Sequence, residues 1–150
     1  MSSSSQNSLP PAIASWLAAQ NNLDPTPTLI LAARQARADV LTHLLATGTQ
    51  LQVLDEYGNN ALWAACYAED IACIEVLLQA GIDINFQNTT GITALIYASS
   101  SGKTAVVAHL LAAGADFSLV SQDEFSALDL AANRECLKLL RSHEKAQVSQ

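Results

Sequence analysis

The chain has 150 residues, half of them apolar or aromatic, with 14 acidic and seven basic side chains and a formal charge of −7. This length suits one domain with a continuous core, and an acidic chain with so few cations excludes the electrostatic footprint of a nucleic-acid binder. No apolar run approaches the roughly 20 residues of a membrane helix, and three cysteines, an odd number, argue against a disulfide framework and suit a reducing compartment.

Residues 1–9 are rich in Ser, Gln and Asn and are expected to be disordered. They lack the basic and apolar regions of a signal peptide, so a cytoplasmic, soluble protein with no membrane partner is expected. Pro10 and Pro11 suit a helix start, where a missing N–H costs nothing. Ile13, Trp16, Leu17 and Gln20 then fall on one helical face. This helix, at 10–21, is expected to cap the open end of the array that follows, because end units must hide apolar surface that inner units hide in their neighbours.

From residue 22 the chain repeats. Leu29, Leu62, Leu95 and Leu128 are spaced by 33 residues, and Gly48, Gly81 and Gly114 keep the same spacing. A fixed period of this size marks a stacked array. The units are about 22–54, 55–87, 88–120 and 121–143. In the first, one helix carries Leu29, Leu31, Ala32 and Ala33, and a second carries Val40, Leu41, Leu44 and Leu45. The next two repeat this with Leu62, Ala65, Ile74, Leu77 and Leu78, then Leu95, Ala98, Val107, Leu110 and Leu111. Short Ala side chains let antiparallel helices approach closely. Extended links such as Ile84-Asn85-Phe86-Gln87 lead to turns at Gly58, Gly91 and Glu124, and should form a row of fingers.

The fourth unit is shorter. Leu29 to Leu44, Leu62 to Leu77 and Leu95 to Leu110 are each 15 residues, but Leu128 to Leu140 is 12. Glu144 stands where the other units have glycine, and the last helix carries Lys138, Arg141 and His143, which suit the negative end of a helix dipole. This unit is expected to close the stack, with 144–150 frayed.

The period, Thr93-Ala94-Leu95-Ile96-Tyr97-Ala98 and Gly114-Ala115-Asp116-Phe117 together resemble the ankyrin repeat, over about 22–143 in four units. The resemblance implies an all-α solenoid of stacked antiparallel helix pairs joined by β-hairpin-like fingers. The chain departs from the family pattern in two ways. No Pro precedes the repeat Leu, and the family's His after it is replaced by Ile30, Trp63, Ile96 and Asp129.

Motifs for chemistry are few. Ser101-Gly102-Lys103-Thr104 matches the end of a phosphate-binding loop, but Tyr97 stands where that loop needs its first glycine, and a turn between helices accounts for the segment. Cys66, Cys73 and Cys136 lack the paired spacing of zinc ligands and suit buried apolar positions. His43 and His109 hold the same place two units apart, too far to share a metal, and are expected to be solvated. The pairs Asp55-Glu56 and Asp123-Glu124 fall on fingertips expected to be exposed. No catalytic residue, metal or cofactor is assigned.

What remains is a surface. The fingers, 49–59, 82–92 and 115–125, hold six acids and no Lys or Arg, and they display Tyr57, Ile92 and Phe125. The resemblance implies that turn residues and inner positions of the first helices contact partners. Those are Glu56, Tyr57, Asn59 and Tyr67, then Thr89, Thr90, Ile92, Ser100 and Ser101, then Gln122, Asp123 and Phe125. Tyr at such positions offers large contact area at low entropic cost. Phe86 and Phe117 are expected to pack between fingers, and Trp63 is either core or groove. The expectation is a non-catalytic protein–protein interaction module, monomeric alone, that takes another protein with a basic, partly apolar patch. The alternative is a regulatory inhibitor that occludes a partner enzyme. An enzyme using the groove is a third, for which no base sits beside a nucleophile.

Overall fold

A computed structural model of the chain describes residues 9–20 and 24–148. Residues 1–8, most of the segment expected to be disordered, lie outside it. Helix α1 (Pro11–Ala19) has proline at its first position, and α2 (Thr28–Arg34) follows Pro27. The chain continues through α3 (Ala38–Ala46), α4 (Ala61–Ala68), α5 (Ile71–Gln79), α6 (Ala94–Ser100), α7 (Thr104–Ala112) and α8 (Arg134–Val148). Several starts are set by short polar side chains. Asn60, Asp70, Thr93 and Asn133 accept the backbone N–H groups of Trp63, Cys73, Ile96 and Cys136. Each satisfies a donor that the first turn leaves without a helical partner.

The helices stack in two rows. First helices α2, α4 and α6 pack in sequence, α3 packs on α5, and each unit's two helices pack on one another. Leu29, Leu62 and Leu95 sit at equivalent places with 0%, 1% and 1% exposure. Ala32, Ala33, Ala65 and Ala98 are fully buried between the rows, where short side chains are needed. One apolar cluster runs from Ile13 and Trp16 to Leu140, with Leu17, Leu44, Leu45 and Leu78 half-buried at its edge. Full burial of a Leu such as Leu29 stabilises the fold by about 1.5–3 kcal/mol. Helix α1 is fastened by Trp16, whose indole N–H donates to Gln35 Oε1 at the end of α2, 2.8 Å away.

The fingers are closed by backbone pairs. Asp55, Asn88 and Ser121 donate to the carbonyls of Asn59, Ile92 and Phe125 at 2.9, 3.1 and 2.9 Å. Among the described residues these remain hairpin-like turns rather than strands, with one isolated antiparallel bridge, Val120 to Ser126. Neighbouring fingers are tied as well. Asn88 Nδ2 donates to Asn59 Oδ1 at 2.8 Å, and the Gln122 N–H donates to the Thr90 carbonyl at 2.9 Å. Gly91 makes this possible. Its φ is +80°, and a Cβ there would lie 2.9 Å from the Gln122 nitrogen.

The fourth unit departs from the expected helix pair. Its first helix is reduced to a single turn. Ser126 and Asp129 cap one another, with the Ser126 N–H and hydroxyl donating to Asp129 Oδ2 and the Asp129 N–H donating to Ser126 Oγ. This is a capping box. The turn then stops, and the Ala132 N–H donates to the Ser99 carbonyl at 3.0 Å. The buried Ser99 hydroxyl donates to the Ala127 carbonyl at 2.6 Å. With so short a turn, Leu128 is only half-buried and Ala127 carries the contact. Helix α8 also runs to Val148, through most of the segment expected to fray. Glu144, Lys145, Ala146 and Gln147 are all good helix formers.

Candidate functional site

A groove of about 510 Å³ opens between units one and two on the finger side. The second finger and α4 supply Glu56, Tyr57, Asn59 and Tyr67 to its lining, beside Trp63 and Arg34. Tyr57 and Tyr67 are 67% and 57% exposed, so two large side chains face water there. Asn59 is buried, and its side-chain oxygen is taken by Asn88. It braces two fingers.

Asp55 corrects an expectation. Its side chain is 6% exposed and points back into the finger, with Oδ1 accepting the Tyr57 and Asn59 N–H groups. Arg34 Nη2 lies 3.8 Å from its other oxygen. Glu56 remains exposed beside the groove. The Tyr57 backbone N–H is held by Asp55 while its side chain stays exposed.

Trp63 is half-buried and lines the groove. Its ring stacks on Tyr97 of the next unit, with centroids 3.9 Å apart and planes 29° from parallel. Its indole nitrogen is buried without an acceptor. Lys103 Nζ lies 5.9 Å from the centroids of both Tyr67 and Tyr97, and 3.2 Å from Glu69 Oε2. The ammonium thus sits near two ring faces and a carboxylate, a cation–π arrangement. Burial pushes the Tyr97 phenol above its ordinary range, against the opposing pull of Lys103. Tyr97 and Lys103 lie beside the groove without lining it, and the sequence signal for this cluster is Lys103, a cation on the turn after α6.

The other predicted residues lie outside this groove, along the finger row or, for Ser100 and Ser101, at the far end of α6. Thr89 and Thr90 are exposed at the third fingertip, Ile92 is half-buried against the core, and Ser100 and Ser101 are exposed where α6 ends. Gln122, Asp123 and Phe125 are exposed on the last finger, Phe125 at 48%. Phe86 is half-buried, and Phe117 packs against the core edge.

The phosphate-loop-like segment is the turn between α6 and α7, and its Gly102 carbonyl accepts Asn133 Nδ2 at 3.1 Å. All three cysteines are buried thiols. Burial pushes Cys66 up to about 12; burial first, then the Asp70 side chain, raises Cys73. Such thiols are poor nucleophiles. His109 differs from the expected solvated ring, since its Nε2 lies 2.6 Å from Glu75 Oε1 on α5. Among the described residues no group of three His, Cys, Asp or Glu is placed to hold a metal, and no helix is long and apolar enough to cross a membrane.

A family model of ankyrin repeats in three copies matches residues 3–88 and 72–150. The ankyrin repeat domain-containing protein SAT10 of Stachybotrys chartarum is 35% identical over 85 residues, 57% of this chain and 4% of that protein. The mouse B-cell lymphoma 3 protein homolog is 34% identical over 104 residues, 67% of this chain and 23% of that protein. The chain therefore spans a small part of these relatives. Among solved structures, the ankyrin repeat domain of Bcl-3, described as a unique member of the IkappaB protein family, superposes with a TM-score of 0.72. That match has 29% identity and covers 75% of this chain and 50% of that one.

Proposed function

Because the chain belongs to the ankyrin repeat family, we propose that it is a non-catalytic module that binds another protein through the groove and the finger row. The observation that carries this reading is the pair Tyr57 and Tyr67, largely exposed on rigid elements at one groove beside Glu56. The partner surface would be basic and partly apolar. The finger acids steer encounter and fix orientation, while the tyrosines hold the complex once water is excluded. Phe125, Thr89, Thr90 and Gln122 extend the same contact along the fingers. We place this monomeric module in the cytosol, where its unpaired thiols stay reduced.

Capture from native extract by the immobilised chain, at low and high salt, identifies the partner, and charge-steered capture fades as salt rises. The double variant Tyr57→Ala/Tyr67→Ala then weakens affinity for that partner more than about tenfold, the loss of one or two binding hot spots. Unchanged affinity removes the site. The same surface would serve an inhibitor that occludes an enzyme. Adding the chain to the partner's own assay separates the two, with lost activity marking occlusion and no change marking scaffolding.

A further inference from the structure

The seven Lys and Arg of this acidic chain are not spread evenly. Arg34, Arg37 and Lys103 each face a carboxylate, at 3.8, 2.8 and 3.2 Å. The other four, Arg134, Lys138, Arg141 and Lys145, all lie on α8, all exposed, and among the described residues none makes an ion pair. Their spacing of i, i+4, i+7 and i+11 puts them within a stripe about 60° wide, at 100° per residue. The buried Cys136 and Leu140 define the opposite side of the helix.

Compensation of the helix dipole does not account for this stripe. Lys145 in the last turn fits that role, but Arg134 is the first residue of α8, where the dipole disfavours a cation. The surroundings add a second feature. A hollow of about 280 Å³ lies along the stripe at Leu137. It adjoins a trough of about 560 Å³ between α7 and α8, and the two share Lys138 and Ser142. The trough is lined mainly by Ala105, Ala108 and Leu139, with Glu135 as its one acid.

We propose that the trough between α7 and α8 and the basic stripe beside it form a second docking site, for an acidic amphipathic segment of another protein. Apolar side chains of that segment fill the trough, and carboxylates on its flank meet Arg134, Lys138, Arg141 and Lys145. This partner has the opposite charge to the one proposed for the fingers, so the module would join two proteins of unlike surface. The inference does not depend on the groove at Tyr57. Other occupants fit less well. Residues 1–8 of this chain are uncharged and mostly polar. An anionic membrane or a nucleic acid would meet the charge of −7 on the chain as a whole.

The test uses the full chain and a fluorescein-labelled helical peptide with Leu at i, i+3, i+4 and i+7 and Glu on both flanks. Anisotropy should show binding that weakens as salt rises. The variant Lys138→Glu/Arg141→Glu/Lys145→Glu should weaken it by at least about tenfold. Ala105→Glu, which puts an acid into the trough, should do the same with circular dichroism unchanged. Tyr57→Ala/Tyr67→Ala should bind the peptide as the parent does. Equal binding of a Glu-only peptide or of a scrambled one overturns the proposal, as does no binding at low salt. So does loss of the site to a second copy of the chain in sedimentation, or preference for vesicles containing phosphatidylserine over the peptide.

Discussion

Units three and four fill the same place in the period and are built by different means. In unit three, α6 buries Leu95 and Ile96 to 1% exposure and is held by apolar packing on both sides. In unit four, one turn capped by Ser126 and Asp129 leaves Leu128 half-buried and hangs on two hydrogen bonds to Ser99. An inner unit has neighbours that repay a full apolar helix. Unit four packs on one neighbour among the described residues, with polar fastening on that side and charge on the other.

The largest contrast should come from truncating the equivalent leucines. Leu95→Ala should cost about 2–5 kcal/mol, the range for a fully buried side chain. Leu128→Ala should cost about 1 kcal/mol, as for an ordinary substitution. Equal shifts in the urea midpoint would erase the distinction. A pH series sharpens the inner side of the comparison. The Cys66 thiol is raised from 9.0 to about 12 by burial, so its contribution is complete below pH 9.0. It is lost as pH climbs from 9.0 to about 12, because the unfolded chain ionises first. The slope from one such thiol is about 1.4 kcal/mol per pH unit. Cys66→Ala should flatten the alkaline fall in stability by that amount, read from urea midpoints at each pH.

Ser99→Ala addresses the fastening itself. It leaves the buried Ala127 carbonyl without its donor and should cost about 1–3 kcal/mol. Hydrogen exchange should then speed up in 126–132 before it does in α4 or α6. Uniform acceleration across all units would mean that Ser99 is not the tether. The smallest effect concerns the fingers. Gly91 and Glu124 hold equivalent turn positions, both at positive φ, +80° and 67°. Gly91→Ala should destabilise by more than about 1 kcal/mol, since it meets both the left-handed penalty and the Gln122 backbone. Glu124→Gly should change stability by less than about 1 kcal/mol, because relief of strain is offset by chain entropy.

The array was legible because its determinants repeat. Leu29, Leu62 and Leu95 mark one buried position three times, and the acids and missing cations of the fingers can be counted from the chain. The shortened fourth unit was also visible as a spacing of 12 rather than 15 residues. That spacing does not say where the loss falls: the period aligns Leu128 with the buried leucines, while the turn carries Ala127 into the core instead. The site was less legible. The Trp63–Tyr97 stack joins positions that are not equivalent within the period, and Lys103 reaches back to Tyr67 and Glu69 of the preceding unit. Such contacts depend on the offset between stacked units, which no single unit encodes. Asp55 turned inward for a local reason, since a carboxylate two residues ahead of backbone donors closes its own turn.

Hydroxyl-radical footprinting of the chain with and without its captured partner tests the central claim most directly. The account predicts that Tyr57, Tyr67 and Phe125 lose reactivity together in the complex while Leu54, exposed at 44%, changes less. Unaltered labelling of Tyr57 and Tyr67 in a saturated complex would contradict it.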